Sequence, residues 1–468
     1  MFLSRTLVIK FTIHCLCLAI FLLGSVVSCM AGFLYVLNDT NAGSNVYGFS
    51  VNESTGALTL LPGFPVAAGL GGNGSIVSER MTVDAANRRL YVLNDTSDTA
   101  SAWSIDPATG ALTPMPFSPI SLGTGSWNTV AVHSSGSPLI VSNGSSGSGA
   151  FSFNITATTA TAAVGNPFLV GATSAFSSTF SRDGMYFYTG GNTGSVIAGF
   201  SVNTSDGVLT ALAGSPFPAG ANNNIAYAMD TAGRLFAVDT LDAIRVFTST
   251  DGVLSPVTGN PFVSGLTQRR FGLIHPNQNF YIVAGNTGNN VGVFQVSGSG
   301  SATTVAPVTG SPFPTGATTA NCLAITASGD FLYVGNRISR SVTTFAVNSS
   351  TGVLTHSGSQ PSNTLGTAGA INGCGYLSDV VAVNAQIGGR ITDKAGNGVG
   401  RVVVQLTGGP EDMIAITNPF GYYNFPAVLT GSSYTLTPSR KAYSFTPPSI
   451  TFDHTGDVSD RDFMGMQN

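Results

Sequence analysis

Leu34-Tyr35-Val36-Leu37-Asn38 recurs unchanged as Leu90-Tyr91-Val92-Leu93-Asn94. Five looser copies follow: Leu139-Ile140-Val141-Ser142-Asn143, Phe187-Tyr188-Thr189, Leu235-Phe236-Ala237-Val238-Asp239, Phe280-Tyr281-Ile282-Val283 and Leu332-Tyr333-Val334-Gly335-Asn336. The steps between their first residues are 56, 49, 48, 48, 45 and 52. Short apolar and aromatic runs bounded by turn residues read as strands. A period of about 50 residues marks a supersecondary unit that buries its faces only against its neighbours.

Each unit keeps one order of signals. An apolar stretch such as Met81-Thr82-Val83 or Leu323-Ala324-Ile325 precedes a polar turn, as in Arg182-Asp183-Gly184. The LYVLN-type strand comes next, then a Gly/Asn/Ser/Asp loop. A third strand alternates apolar and polar residues, as in Val46-Tyr47-Gly48-Phe49-Ser50-Val51. A turn such as Gly56-Ala57-Leu58 or Gly252-Val253-Leu254 opens a fourth. A Pro-Phe element closes the unit, clearest in Gly214-Ser215-Pro216-Phe217 and Gly310-Ser311-Pro312-Phe313. Proline suits an outer edge, where no ladder bond is lost. Four strands per unit and seven units predict an all-β, seven-bladed β-propeller. The first LYVLN has no inner strand before it, and an extra half-copy spans residues 373–384. Pairing of that half-copy beside residues 34–38 completes the first blade and leaves no free inner edge.

The combined pattern of turn-Gly-x-LYVxN, TGxL and GSPFPxG resembles the lactonase-like (YVTN-type) seven-bladed propellers over residues 33–384. The resemblance implies the fold. It also implies that an activity like that of the phosphogluconolactonases in the family is one option, beside exported relatives with no assigned chemistry. The fourfold pattern stops near residue 386. Gly389-Arg390-Ile391-Thr392-Asp393 and Asn418-Pro419-Phe420-Gly421-Tyr422-Tyr423 mark a further strand-rich segment over residues 386–468. It resembles the carboxypeptidase regulatory-like modules, which implies a transthyretin-like β-sandwich without zinc or catalytic residues. His454 is the one histidine there and has no partner at ligand spacing.

Only 9% of residues are charged, Gly numbers 58, and the formal net charge is −4. That balance excludes nucleic-acid binding by phosphate neutralisation. Arg5 and Lys10 precede an apolar run from Phe11 to Val27, the n- and h-regions of an export signal over residues 1–29. The run ends in Val26-Val27-Ser28-Cys29, which resembles a lipobox with Cys29 as the lipidated residue. Ordinary cleavage beside Ser28 or Ala31, or a retained anchor, are the alternatives. The expected location is extracytoplasmic, either secreted or as an outer-membrane or cell-surface lipoprotein that meets the membrane only through its lipid. Beyond the signal and Cys29 the cysteines are Cys322 and Cys374. They occupy similar positions in successive repeats, so a bridge in an oxidising compartment is one alternative. Equivalent positions on adjacent blades usually stand too far apart for an unstrained one, which favours two buried free thiols.

No HExxH or CxxC occurs, and no cofactor or metal is expected. Gly69-Leu70-Gly71-Gly72-Asn73-Gly74 spells GxGxxG outside any βαβ unit and reads as an inter-blade loop. In a blade, the entry to the inner strand and the loop after the second strand open on one end of the channel. The entries carry Glu79, Arg80, Trp127, Asn128, Asn224, Arg269, Arg270 and Asn321. The loops carry Asp39, Asp95, Asp98, Asp239, Asp242, Arg337 and Arg340. His133 and His275 fall toward the other end and read as structural. Two functions follow. The first is a monomeric envelope binding or scaffolding protein holding a polar ligand, such as a glycan, through Trp127, Asn128, Asn224, Asn321, Arg337 and Arg340. The second is a sugar-lactone hydrolase with Glu79 as base and Arg80, Arg269 or Arg270 polarising the carbonyl. The absence of a motif at catalytic positions favours the first.

Overall fold

A computed structural model describes residues 32–72, 79–144, 149–171, 174–191, 195–220, 225–239, 242–357, 365–378, 384–408, 412–429, 432–454 and 457–467. The export signal and Cys29 therefore lie outside the described residues, as does Asn224.

Seven antiparallel sheets form the larger part of the chain. Blade 4 is representative: Ala175–Phe180, Tyr186–Gly191, Val196–Val202 and Leu209–Ala211 run outward in order. The inner strands of blades 2 to 7 are Met81–Asp84, Trp127–Val132, Ala175–Phe180, Ile225–Met229, Arg269–Ile274 and Ala320–Ile325. Blade 1 takes its inner strand from far along the chain. Ala370–Leu377 pairs with Phe33–Asp39, Leu34 standing opposite Tyr376. Each inner strand touches the next around a closed ring, Ala370–Leu377 lying between those of blades 7 and 2. The protein is a seven-bladed β-propeller followed by a β-sandwich.

The LYVLN strands are buried along their whole length because each is covered on both faces. Successive side chains point to opposite faces of a strand. In blade 1, Leu34 and Val36 therefore pack with Tyr333 of blade 7, while Tyr35 and Leu37 pack with Leu90 and Val92 of blade 2. The tyrosine of the motif carries a second signal. Tyr35 donates its hydroxyl to the Gly110 carbonyl of blade 2 at 2.7 Å, and Tyr188 to Gly252 of blade 5 at 2.8 Å. Tyr333 of blade 7 donates to Gly56 of blade 1 at 3.2 Å. Gly56, Gly110 and Gly252 of the TGxL turns thus each receive the preceding blade, and the ring seam is bonded like these two other joints. His275 does similar work at the same end, its Nε2 lying 3.0 Å from the Gly329 carbonyl of blade 7.

The outer strand is split rather than single. In blades 1 to 6 the third strand pairs with the TGxL piece and then with the short Pro-Phe piece, as Val196–Val202 does with Leu209–Ala211 and Phe217–Pro218.

Two expectations need correction. The closing strand is Ala370–Leu377, whereas Asn384–Thr392 already belongs to the sandwich, pairing with Tyr422–Leu429. Cys322 and Cys374 are not free thiols but a disulfide, with Cα atoms 5.6 Å apart. Register supplies the reason. Cys322 faces Gly335 in its blade and Gly373 faces Leu37 in blade 1, so Gly373 is the true counterpart of Cys322. Cys374 is one residue further on, and its side chain points the other way. The pair meets across the seam because it is out of equivalence.

The sandwich has two four-stranded sheets, one ordered Tyr422–Leu429, Asn384–Thr392, Phe463–Gln467, Tyr443–Thr446. The other runs Met413–Ile416, Val403–Thr407, Ser432–Ser439, Ile450–His454. Ile387, Ile391, Val404, Leu406, Phe425 and Leu436 fill the space between them.

Candidate functional site at the channel mouth

The inner strands share an irregularity where they enter the channel. Their register slips between Trp127 and Thr129, Ala175 and Ser177, Ile225 and Ala228, Arg269 and Gly272, and Ala320 and Cys322. In the closing strand it slips past Asn372. A bulge re-aims the side chain it carries. Asn128 turns to the Ala175 carbonyl of blade 4 at 3.1 Å, and Asn321 to the Ile371 carbonyl of blade 1 at 2.8 Å. Both are buried, so their amides clasp neighbouring blades. Trp127 is likewise enclosed, its indole N–H donating to Asp98 and to the Gly123 carbonyl. Arg340 donates to the Gly366 carbonyl on the rim.

Blade 2 differs. Glu79 and Arg80 occupy its entry, and Glu79 bridges to Thr129 of blade 3. Arg80 is fully buried and bonds Asp39 Oδ2 at 2.9 Å, Asp95 Oδ2 at 3.0 Å and the Gly72 carbonyl at 2.9 Å. Asp39 also accepts from Ser44, from the Gly72 N–H and from Asn372. Asp95 accepts from the Trp127 N–H. This network ties blades 1, 2 and 3 together at the mouth.

Glu79 turns away from it. One carboxyl oxygen accepts from the Ser177 hydroxyl and the other from the Ser178 N–H at 2.9 Å, both on blade 4. Ser177 Oγ in turn accepts from the Tyr227 N–H of blade 5 at 2.8 Å. Burial raises the Glu79 pKa to about 8, although both hydrogen bonds pull it down. On blades 6 and 7, Arg270 and Arg337 are each partly buried. Burial and then the Arg337 charge lower the Arg270 pKa to about 10. Arg337 is lowered by burial, while Asp39 opposes the shift and Arg80 adds to it. This end of the channel therefore holds a buried carboxyl that exchanges its proton near neutrality and, apart from it, a group of interacting charges made by Arg270, Arg337, Arg80 and Asp39.

Sequence reasoning placed Glu79, Arg80, Arg270 and Arg337 on one mouth together; Arg80, Arg270 and Arg337 interact as neighbouring charges, whereas Glu79 turns to blade 4. For Arg269 only the backbone is described, opposite Gly285. Ser177, Ser178, Tyr227 and Asn372 were missed. Aligning Ile371-Asn372-Gly373 with Ala320-Asn321-Cys322 would have found Asn372. Nothing in residue type singles out the serines in a chain so rich in them.

The fold and the mouth define a seven-bladed propeller with a charged, largely buried constellation at one end of its channel. Residues 226–366 match the family described as lactonase, 7-bladed beta-propeller. Curated proteins give no match. Among solved structures, a Lactobacillus plantarum protein is similar with a TM-score of 0.61 and 14% identity, over 75% of this chain and 100% of its own. A Bacteroides fragilis protein with a provisional 6-phosphogluconolactonase assignment gives 0.59 and 16%, over 76% and 100%. The periplasmic gluconolactonase of Pseudomonas aeruginosa gives 0.57 and 16%, over 74% and 99%. At these identities the likeness is one of fold.

Proposed function

We propose that the chain is a sugar-lactone hydrolase working at the channel mouth, with Glu79 as general base and Arg270 and Arg337 binding the lactone carbonyl. The observation that carries this reading is Glu79, a buried carboxyl whose pKa of about 8 suits proton transfer near neutral pH. Ionised Glu79 would take a proton from water as the water adds to the carbonyl carbon, and would return it to the ring oxygen as the carbonyl re-forms and the acyl C–O bond breaks. The guanidiniums would stabilise the oxyanion that forms, where their low-dielectric setting strengthens the interaction. The neighbours named as lactonases support this reading above a scaffolding role. Export remains part of the proposal, supported by the apolar run before residue 29 and by a disulfide of the kind kept in oxidising compartments. So does the likeness of the C-terminal sandwich to carboxypeptidase regulatory-like modules, supported by its paired four-stranded sheets.

The test is hydrolysis of a panel of sugar lactones, followed by acid release in a pH-stat. Acceleration over buffer that is lost in Glu79→Gln supports the proposal, and no acceleration across the panel ends it. A second reading, polar-ligand binding without turnover, draws on the two hydrogen bonds that already occupy the Glu79 oxygens. Retention of a glycan by a protein that hydrolyses no lactone would favour it.

A further inference from the structure

We propose that Ser177 is a positioning residue for Glu79: its hydroxyl, held by the Tyr227 N–H, aims and stabilises the ionised carboxylate that the proposed hydrolysis needs. The inference rests on that hydrolytic reading for its purpose, but not for its geometry.

Ser177 is fully buried on the inner strand of blade 4. A hydroxyl has one proton to donate. Because Ser177 Oγ accepts from the Tyr227 N–H, an obligate donor, its own proton is directed to Glu79 Oε1. The Ser178 N–H, another obligate donor, meets Oε2. Both carboxyl oxygens therefore face donors, an arrangement that suits the carboxylate and leaves the acid form poorly matched. A proton on either oxygen would take the lone pair its donor leaves free, and it would make that oxygen a poorer acceptor for the Ser177 hydroxyl or the Ser178 N–H. Burial favours the acid form and the two donors favour the ion, so the serine sets where between them the balance falls.

The surrounding groups leave this role to blade 4. Tyr227 of blade 5 and Tyr281 of blade 6 lie within reach of the Glu79 charge, and burial, then that charge, raises both phenols, so each stays protonated. Tyr281 donates its hydroxyl to the Ala226 carbonyl. Thr129 of blade 3 bonds Ser178 Oγ. Arg80, the adjacent residue in the chain, sends its guanidinium to Asp39 and Asp95. Ser177 thus links a carboxyl from blade 2 to a backbone amide from blade 5.

Infrared difference spectra of the whole protein across pH, with the Glu79 band assigned by its loss in Glu79→Gln, read the ionisation directly. In Ser177→Ala the midpoint should rise by about one pH unit, a tenfold gain in proton affinity. Ser177→Thr, which keeps the hydroxyl, should restore it. Should the alanine variant fail to fold, Ser177→Cys keeps the volume with a weaker donor and should raise the midpoint in the same direction. The pH profile of lactone hydrolysis should move with the midpoint. A midpoint that stays at the wild-type value when the hydroxyl is removed overturns the positioning role, whether or not lactones are hydrolysed. A midpoint that moves in a protein hydrolysing no lactone upholds it and overturns the hydrolase reading instead.

Discussion

Cys322 and Cys374 are joined across the seam of the ring, and Asn321 and Asn372, one and two residues before them, are joined as well, Asn321 donating to Asn372 Oδ1 at 3.4 Å. Asn321 donates to the Ile371 carbonyl at 2.8 Å, and Asn372 donates to Asp39 at 2.9 Å. The covalent closure therefore lies within two residues of the polar network that holds Arg80. Closing a loop with a sequence separation of 52 restricts the unfolded chain by about 4 kcal/mol in the chain-entropy treatment. Cys374→Ser should lower the midpoint of denaturant unfolding accordingly, and reductant should lower the wild type but leave the variant unmoved. Equal midpoints for wild type and variant under oxidising conditions would show that the bond adds nothing.

The tyrosine joints make a graded set. Tyr333→Phe and Tyr35→Phe each remove one buried hydroxyl and leave the Gly56 or Gly110 carbonyl unmatched. Each should cost about 1–2 kcal/mol, and the two should be additive because the joints lie on opposite sides of blade 1. Urea unfolding of the two single variants and the double checks both the size and the additivity.

Asp39→Ala is a harsher change. It strips a fully buried arginine of its closest carboxylate, and such a broken buried pair costs about 3–5 kcal/mol. Asp460→Ala breaks the exposed contact to Arg461, and there the loss should stay within about 1 kcal/mol. Thermal melts of the two variants should differ widely. Similar melts would mean that the Arg80 network is not the anchor of blades 1 to 3.

Much of this was readable from the chain, and the unread part has a physical cause. The seven LYVLN copies set the blade count, and their spacing set which loops share an end with Glu79 and Arg270. The displaced half-copy announced ring closure, although its bounds were drawn too late because Gly373 looked like the start of a strand whose bulge lies at Asn372. The bulges themselves leave no pattern in residue type, and they decide the face each side chain takes. That is why the disulfide was unexpected and why Asn128 and Asn321 looked like ligand contacts. Ser177 meets Glu79 only because the Glu79 carboxyl reaches past blade 3 to blade 4, at a sequence distance of 98.

Stability should carry the mark of Glu79. Its pKa is about 8 in the folded protein against an ordinary value of 4.5, so between those values the folded state holds the extra proton. The contribution is full below pH 4.5 and is lost as pH rises through about 8. Glu79→Gln mimics the protonated acid and should flatten this slope. Unfolding midpoints at acidic, neutral and alkaline pH, in both proteins, supply the comparison.

The most direct measurement is the rate of sugar-lactone hydrolysis by wild type and Glu79→Gln as pH is raised through the Glu79 midpoint. The expected result is a wild-type rate that climbs with ionisation near pH 8 and a variant slower by at least about a hundredfold. Equal rates in the two proteins, or a wild-type rate indifferent to pH over that range, would contradict a hydrolytic role for the carboxyl at the channel mouth.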